Sequence, residues 1–251
     1  MTAAYVPARD PVSKVRRRFT QWRASRPARL AFDQPLLSIS FDDFPCSAAE
    51  TGAAILEAHG ARGTFYAAAG LANTDGPSGR NFAPAQVARL AASGHEIGCH
   101  SFGHADAAQH NVFDTLKDLA KNRDALAAFG ARPARTHAYP FGETTNRLKD
   151  GLPPRFACAR GILPGLNVGA ADLAQLHAYP LFGDGWLRGM QSTLKRAAKR
   201  KAWVIGFTHD VSDAPSAWGT RAEDLDALLR TAHALGFTVL PVTAALERRL
   251  P

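Results

Sequence analysis

Cysteine is scarce in this chain. The 251 residues hold three, Cys46, Cys99 and Cys158, an odd number at unrelated spacings. No disulfide framework is suggested, and a reducing compartment fits them best. No apolar run approaches the length of a bilayer-spanning helix. The N-terminal stretch "MTAAYVPARDPVSKVRRRF" lacks the apolar core of a secretory signal, so the expected location is cytoplasmic. Internal repeats, low-complexity tracts and an evident interdomain linker are also missing. What remains is an ordinary globular composition, 46% hydrophobic and 21% charged, at a length that suits one large α/β domain or two small ones.

Charge is unevenly spread. Of a net +8, nearly all sits in residues 1–30, where eight basic side chains (Arg9, Lys14, Arg16, Arg17, Arg18, Arg23, Arg26 and Arg29) face one acid, Asp10. The remaining 22 basic and 21 acidic residues almost cancel. A nearly neutral body with a basic arm is not a uniformly basic nucleic-acid binder, and no nucleic-acid partner is expected. Within the arm, Val15, Phe19 and Trp22 fall at i, i+4 and i+7, which gives a short helix one apolar side. The preferred reading docks that helix on the body with its arginines solvated. The alternative is peripheral contact of residues 1–30 with an anionic membrane at the inner face, or with nucleic acid. The expected division is a basic arm over 1–34 and one domain over 35–251.

From residue 35 the chain alternates short apolar runs with amphipathic stretches. The segments 36–41, 63–69, 95–100, 135–140, 156–160, 175–181, 203–209 and 237–242 read as strands. Between them, Ser47-Ala-Ala-Glu50 reads as a capping box opening a helix that ends near Gly60. Pro84 opens another that runs to Gly94. Residues 112–129 and 184–200 are long enough for helices, and "AEDLDALLRTAHALG" has acids at its start and Gly236 past its end. Alternation of this kind argues for a mostly parallel sheet covered by helices, either a (β/α) barrel or a doubly wound sheet. In both, reactive groups sit at the C-terminal ends of strands. Asp42-Asp43, His100, Pro140-Phe141 and His209 all fall at such ends.

Two adjacent carboxylates at the end of a buried strand repel each other and are costly to desolvate. The stretch "HSFGH" offers a reason for them. His100 and His104 are an i, i+4 pair that a helical turn would place on one face, able to chelate one cation with a carboxylate from Asp43. Asp42 is then left for proton transfer, and the cation offsets the repulsion. His209, after "WVIGFT", supplies a titratable acid. The other histidines read as solvated or core residues, and Cys99, pointing opposite to His100 in a strand, reads as core.

"SFDDFP", "HSFGH", "AYPFG" and "FTHD", in this order and spacing, resemble the polysaccharide deacetylases of carbohydrate esterase family 4, the nodulation-protein-type deacetylases, over roughly residues 35–245. The resemblance implies a distorted (β/α) barrel of about seven strands. It also implies roles: Asp42 as general base, Asp43, His100 and His104 as metal ligands, His209 as general acid. Phe141 falls where the family has an aromatic residue whose backbone N–H faces the developing oxyanion, within the Tyr139-Pro140-Phe141 substrate-binding element. Many members carry an arginine before that element, paired with the base. Here Ala138 stands in its place, and Arg160, ahead of Arg135, is the expected substitute. The family's Asp-and-Trp segment that orients the acid histidine has two candidates, Asp184-Gly185-Trp186 and Asp172. Trp218, in the loop after His209, is the candidate for stacking on a sugar ring.

The implied activity is metal-dependent removal of N-acetyl or O-acetyl groups from an amino-sugar-containing oligo- or polysaccharide, or its lipid-linked precursor. Two imidazoles and a carboxylate suit zinc, with cobalt, nickel or manganese also acceptable. One alternative is a related hydrolase of cyclic amides or ureides, against which the full ligand set argues. The other is a catalytically silent carbohydrate-binding protein, which the missing arginine favours.

Overall fold

The run Leu36–Asp42 is buried at every position, as expected of a strand covered on both faces. In the computed structural model, which describes residues 10–251, it is the centre of the sheet. The strands are β1 (Pro27–Leu30), β2 (Leu36–Asp42), β3 (Thr64–Ala67), β4 (Glu96–Cys99), β5 (Thr136–Ala138), β6 (Cys158–Arg160), β7 (Gly169–Asp172), β8 (Tyr179–Pro180), β9 (Trp203–Thr208) and β10 (Thr238–Val239). Seven parallel strands, in the order β8-β9-β2-β3-β4-β5-β6, form a curled half-barrel. One edge of β2 pairs with β9 from Leu36 to Phe41. The other edge is shared by β10 at Leu36–Leu37 and β3 at Ser40–Asp42. A bridge between Arg160 and Leu176 brings the chain leading into β8 beside β6, so one segment links the two edges of the sheet.

Period-2 alternation sorts β2 between two environments. Leu37, Ile39 and Phe41 pack outward into the main core with Leu56, Leu225 and Leu228 of the covering helices. Leu36 joins Trp203, Ile205 and Phe207 in a second cluster. Ser38 and Ser40 are buried with satisfied hydroxyls: Trp203 Nε1 donates to Ser38 Oγ at 3.0 Å, and Ser40 Oγ donates to the Gly206 carbonyl at 3.0 Å. The inner face is therefore polar towards its C-terminal end, where Asp42 stands.

The helices are α1 (Pro11–Trp22), α2 (Ala53–Ala58), α3 (Pro84–Ala92), α4 (Val112–Ala128), α5 (Asn146–Gly151), α6 (Trp186–Lys199), α7 (Ala222–Ala234) and α8 (Val242–Glu247). Among the described residues no helix is long and apolar enough to cross a membrane. The expected capping box at Ser47 does not form. Ser47 is itself helical (φ −62°, ψ −35°), and residues 48–52 wind as a π-helix ahead of α2. Its hydroxyl instead accepts a long bond from the Val211 N–H at 3.4 Å, and the turn opens on the Pro45 carbonyl. A Cβ on Gly52 would sit 3.0 Å from the Phe41 ring, so a glycine lets this wider turn lie on the sheet.

The arm docks on the body, but not through its apolar side. Residues 1–9 of the expected arm lie outside the described residues. Asp10 caps α1 by accepting from Ser13 N at 3.0 Å. Val15, Phe19 and Trp22 are 69%, 55% and 83% exposed. Polar groups do the holding. Fully buried Lys149 donates to the carbonyls of Thr20 and Arg23, both at 2.6 Å, and pairs with Asp172 at 2.8 Å. Asp172 accepts from Ser25 N and Arg26 N, Arg26 donates to the Phe156 and Leu152 carbonyls, and Arg17 pairs with Glu143. β1 then pairs antiparallel with β7, from Pro27 opposite Asp172 to Leu30 opposite Gly169. Buried donors and acceptors with fixed partners outweigh a narrow apolar stripe here. Asp172 is thus committed to the arm and does not orient His209.

Lys149→Met removes one charge of a buried pair, leaving Asp172 without its cation and the Thr20 and Arg23 carbonyls without the Lys149 donor. It is expected to destabilise the chain by roughly 3–5 kcal/mol and to expose the arm to limited proteolysis first. An unchanged urea midpoint and cleavage pattern would show that Lys149 does not hold the arm.

Candidate active site and metal centre

Because the seven strands run parallel, whatever follows their C-terminal ends converges on one rim. Asp42 ends β2, His100 follows β4, Tyr139-Pro140-Phe141 follows β5, Arg160 ends β6 and His209 follows β9. Left-handed backbone brings these groups closer than strand geometry alone allows. Asp43, Ser101, His104 and Phe141 have φ of 53°, 60°, 51° and 58°, four of the six non-glycine positive values among the described residues. Conformations of this kind cost on the order of 1–3 kcal/mol each and persist where surrounding structure enforces them.

Asp43, His100 and His104 each present one ligand atom, all within 4.8 Å of one another. His104 Nε2 lies 3.3 Å and His100 Nε2 3.8 Å from the two Asp43 oxygens. Asp43 Oδ1 is buried and accepts no hydrogen bond. Burial pushes the Asp43 carboxyl up to about 7, with nearby His209 opposing and Asp42 adding to the rise. Burial also holds both imidazoles neutral, His104 down at about 4 and His100 well below its ordinary value. His100 Nδ1–H donates to the Ala138 carbonyl at 2.8 Å, which leaves Nε2 with its lone pair toward Asp43. Two neutral imidazole nitrogens and an orphaned carboxylate oxygen are a donor set that fits a divalent cation.

The two histidines do not meet on a helix. Residues 100–104 form an irregular turn, and its left-handed Ser101 and His104 fold the chain back on itself. Asp118 of α4 holds that turn, accepting from Phe102 N at 2.6 Å and Gly103 N at 3.1 Å. The Phe102 carbonyl accepts from Gly70 N at 3.0 Å. Sequence reasoning missed Asp118, since an acid in a helix with other charged residues carries no mark of a contact made sixteen positions away. Cys99 is buried in the core, its sulfur beside Asn122 Nδ2 at 3.2 Å.

Asp42 occupies a different setting from its neighbour. It is buried and paired with Arg160, whose guanidinium lies between the Tyr66 and Phe207 rings at 4.8 and 5.0 Å. Burial by itself raises the Asp42 carboxyl. Arg160, with His100 and His209, outweighs burial and holds it below the ordinary carboxylate range. Arg135, the other arginine considered, is exposed and pairs with Glu247.

His209 is half-buried, and its Nδ1–H donates to the Trp218 carbonyl at 3.2 Å. The same oxygen accepts from His209 N and Thr208 Oγ1, both at 3.1 Å. Asp210 shapes this loop, accepting from Ser216 N at 2.8 Å and Ser216 Oγ at 2.5 Å. A carbonyl thus orients the ring where a carboxylate was expected, and Asp184 stays exposed at the start of α6. Trp218, whose carbonyl holds His209, is 45% exposed. The Phe141 ring stands edge-on to His104, centroids 4.6 Å apart, and a recess of about 200 Å³ opens beside them, lined also by Asp106 and His110. Tyr139 differs from its expected role. Its side chain is buried in the core and its hydroxyl donates to the Ala174 carbonyl at 2.8 Å, so only its backbone leads into the rim turn with buried Pro140. His137 is a core residue whose Nδ1–H donates to the Cys99 carbonyl at 3.0 Å.

Fold and rim together define a parallel half-barrel with a metal-competent Asp-His-His cluster beside a separate, ion-paired carboxylate. Residues 30–152 match the polysaccharide deacetylase family. The matched part carries Asp42, Asp43, His100, His104 and Phe141; Arg160, His209 and Trp218 lie beyond it. Solved structures extend the likeness in fold to most of the chain. A Mycobacterium smegmatis protein assigned as a polysaccharide deacetylase is 16% identical, covering 90% of this chain and 95% of its own, with a TM-score of 0.68. A family 4 acetyl xylan esterase from Clostridium thermocellum, solved with a cobalt ion, is 20% identical over 83% of this chain and 89% of its own, TM-score 0.60. The peptidoglycan deacetylase PdaC of Bacillus subtilis (a D285S mutant) is 17% identical over 86% and 92%, TM-score 0.55. Among curated proteins none matches the chain in sequence.

Arg160→Met strands Asp42 as a buried lone charge and is expected to cost roughly 3–5 kcal/mol of stability. Adding Asp42→Asn should return most of that loss, because the stranded charge goes too. Urea denaturation of the four members of this cycle tests the pair, and additive effects would mean the two side chains act independently.

Proposed function

We propose that this chain is a metal-dependent deacetylase that hydrolyses N-acetyl or O-acetyl groups on an amino-sugar-containing oligo- or polysaccharide, or on its lipid-linked precursor. The observation that carries the reading is the division of labour between adjacent carboxylates: Asp43 faces two neutral imidazoles, while Asp42 is kept ionised by Arg160. A divalent cation held by Asp43, His100 and His104, zinc by its donor set or else cobalt, nickel or manganese, would polarise an acetyl carbonyl and lower the pKa of a water. Asp42 accepts the water's proton. The Phe141 backbone N–H at the left-handed turn is assigned to the developing oxyanion. His209, its Nδ1–H fixed on the Trp218 carbonyl, delivers a proton through Nε2 to the departing amine, which an acetamide requires because amines leave poorly. Trp218 offers an exposed ring for a sugar face, and the recess beside Phe141 offers room for an acyl group. The names of the similar structures, deacetylases and an acetyl xylan esterase, support this class of reaction. The Arg160–Asp42 contact weakens the case for a silent binding protein, which rested on a base without its arginine. Three free thiols are in keeping with a cytoplasmic setting.

Metal content and acetate release from a panel of N-acetylated oligosaccharides test the proposal. The native chain should carry about one ion and release acetate. His104→Ala should lose both, while Asp42→Asn should keep the ion and lose at least ~10²-fold in turnover. Turnover that survives Asp42→Asn would displace the base assignment, and a chain that takes up no ion on reconstitution would overturn metal dependence.

A further inference from the structure

The docked α1 leaves its apolar stripe uncovered. Val15, Phe19 and Trp22 are 69%, 55% and 83% exposed, and the Phe19 and Trp22 rings lie 6.3 Å apart on one side of the helix. Exposed Arg18 falls on the same face by spacing. The opposite side is spent on the body, through buried Ser13 and Thr20, the Arg17–Glu143 pair and the Lys149 contacts. A helix held this firmly by polar groups has no packing use for a tryptophan and a phenylalanine turned to water.

The surroundings say what kind of surface would cover them. An open groove of about 730 Å³ runs between α1 and the loop after β6, with Arg17, Arg18 and Trp22 on one wall and Leu163 and Pro164 on the other. Ile162 and Leu163 are exposed as well, two and three residues beyond Arg160 at the rim. Residues 1–30 carry eight basic side chains and one acidic one. Exposed aromatic and aliphatic side chains with Arg17 and Arg18 beside them match the interface of an anionic bilayer, where indoles settle at headgroup depth and cations meet the negative surface potential.

We propose that α1, with Ile162 and Leu163 of the neighbouring loop, is a docking surface for an anionic lipid membrane, and that it sets the catalytic rim beside the bilayer. Its position, a few residues from Arg160 and tied by Arg17 to Glu143 just past Phe141, brings the rim within reach of a sugar attached to lipid. Membrane binding is read without turnover, so it stands or falls separately from the deacetylase reading.

The test is sedimentation of the full chain with vesicles of phosphatidylcholine alone and of phosphatidylcholine mixed with phosphatidylglycerol, at low and high salt. The native chain should bind the mixed vesicles, not the neutral ones, and release as salt rises. Phe19→Ser/Trp22→Ser should weaken partitioning by roughly tenfold or more, with an unchanged urea midpoint because both rings are exposed. Arg18→Glu, which keeps the stripe, should weaken binding at low salt and much less at high salt. No binding of the native chain, equal binding to both vesicle types, or full binding by the Phe19→Ser/Trp22→Ser chain would each overturn the proposal. So would a dimer in solution that the double variant abolishes without any effect of vesicles, since the stripe would then be an interface between copies.

Discussion

Two neighbouring carboxylates in a low-dielectric pocket cannot both stay charged unless something positive faces each. At roughly 4 Å and an effective dielectric near 20, two like charges repel by about 4 kcal/mol. Much of the rim follows from that constraint. Asp42 is answered by a guanidinium beside two aromatic rings, whereas Asp43, itself left-handed, faces two neutral imidazoles and has its titration raised instead. The carboxyls separate in their titration accordingly, one held below the ordinary range and the other raised to about 7. A pair of acids pushed apart in this way is a recurring means of giving two chemically identical groups different tasks.

The parallel sheet makes this arrangement available. Its central strand alternates apolar outward residues with Ser38, Ser40 and Asp42 inward, so the pleat delivers a carboxylate to the rim without opening the outer core. Each neighbouring strand adds its group at the same level, because parallel register puts all C-terminal ends on one side. Loops then refine the placement. Asp118 fastens the turn of His104, and Asp210 fastens the turn whose Trp218 carbonyl receives His209.

The strand pattern and the rim position of Asp42-Asp43, His100 and His209 could be read from residue order, because periodicity and strand ends report them directly, while the preference for Arg160 over Arg135 came from the family resemblance. Other features could not. The His100–His104 spacing suggested a helical turn, yet a helix and a left-handed turn can both bring residues four apart together, and spacing does not separate them. Asp118 and the Trp218 carbonyl are long-range or backbone partners with no sequence signature. Tyr139 was read as facing the substrate because it adjoins Pro140 and Phe141, but β5 buries its side chain and only the following turn reaches the rim. The α1 stripe misled for a physical reason: an apolar face predicts burial only when the polar face has nothing better to bind. Here Lys149, Asp172 and Glu143 gave the polar face buried partners.

That reversal ties the arm to the rim. A helix docked by its apolar side would have hidden its aromatic residues and left the arginines as a diffuse charge. Docked by its polar side, it fixes Arg17 on Glu143, two residues past Phe141, and presents Phe19 and Trp22 outward on a rigid support. The Phe141 turn is thus buttressed from the arm on one side and packed against His104 on the other. The same contacts that make the arm part of the body therefore join the polar side of α1 to the segment that follows Phe141.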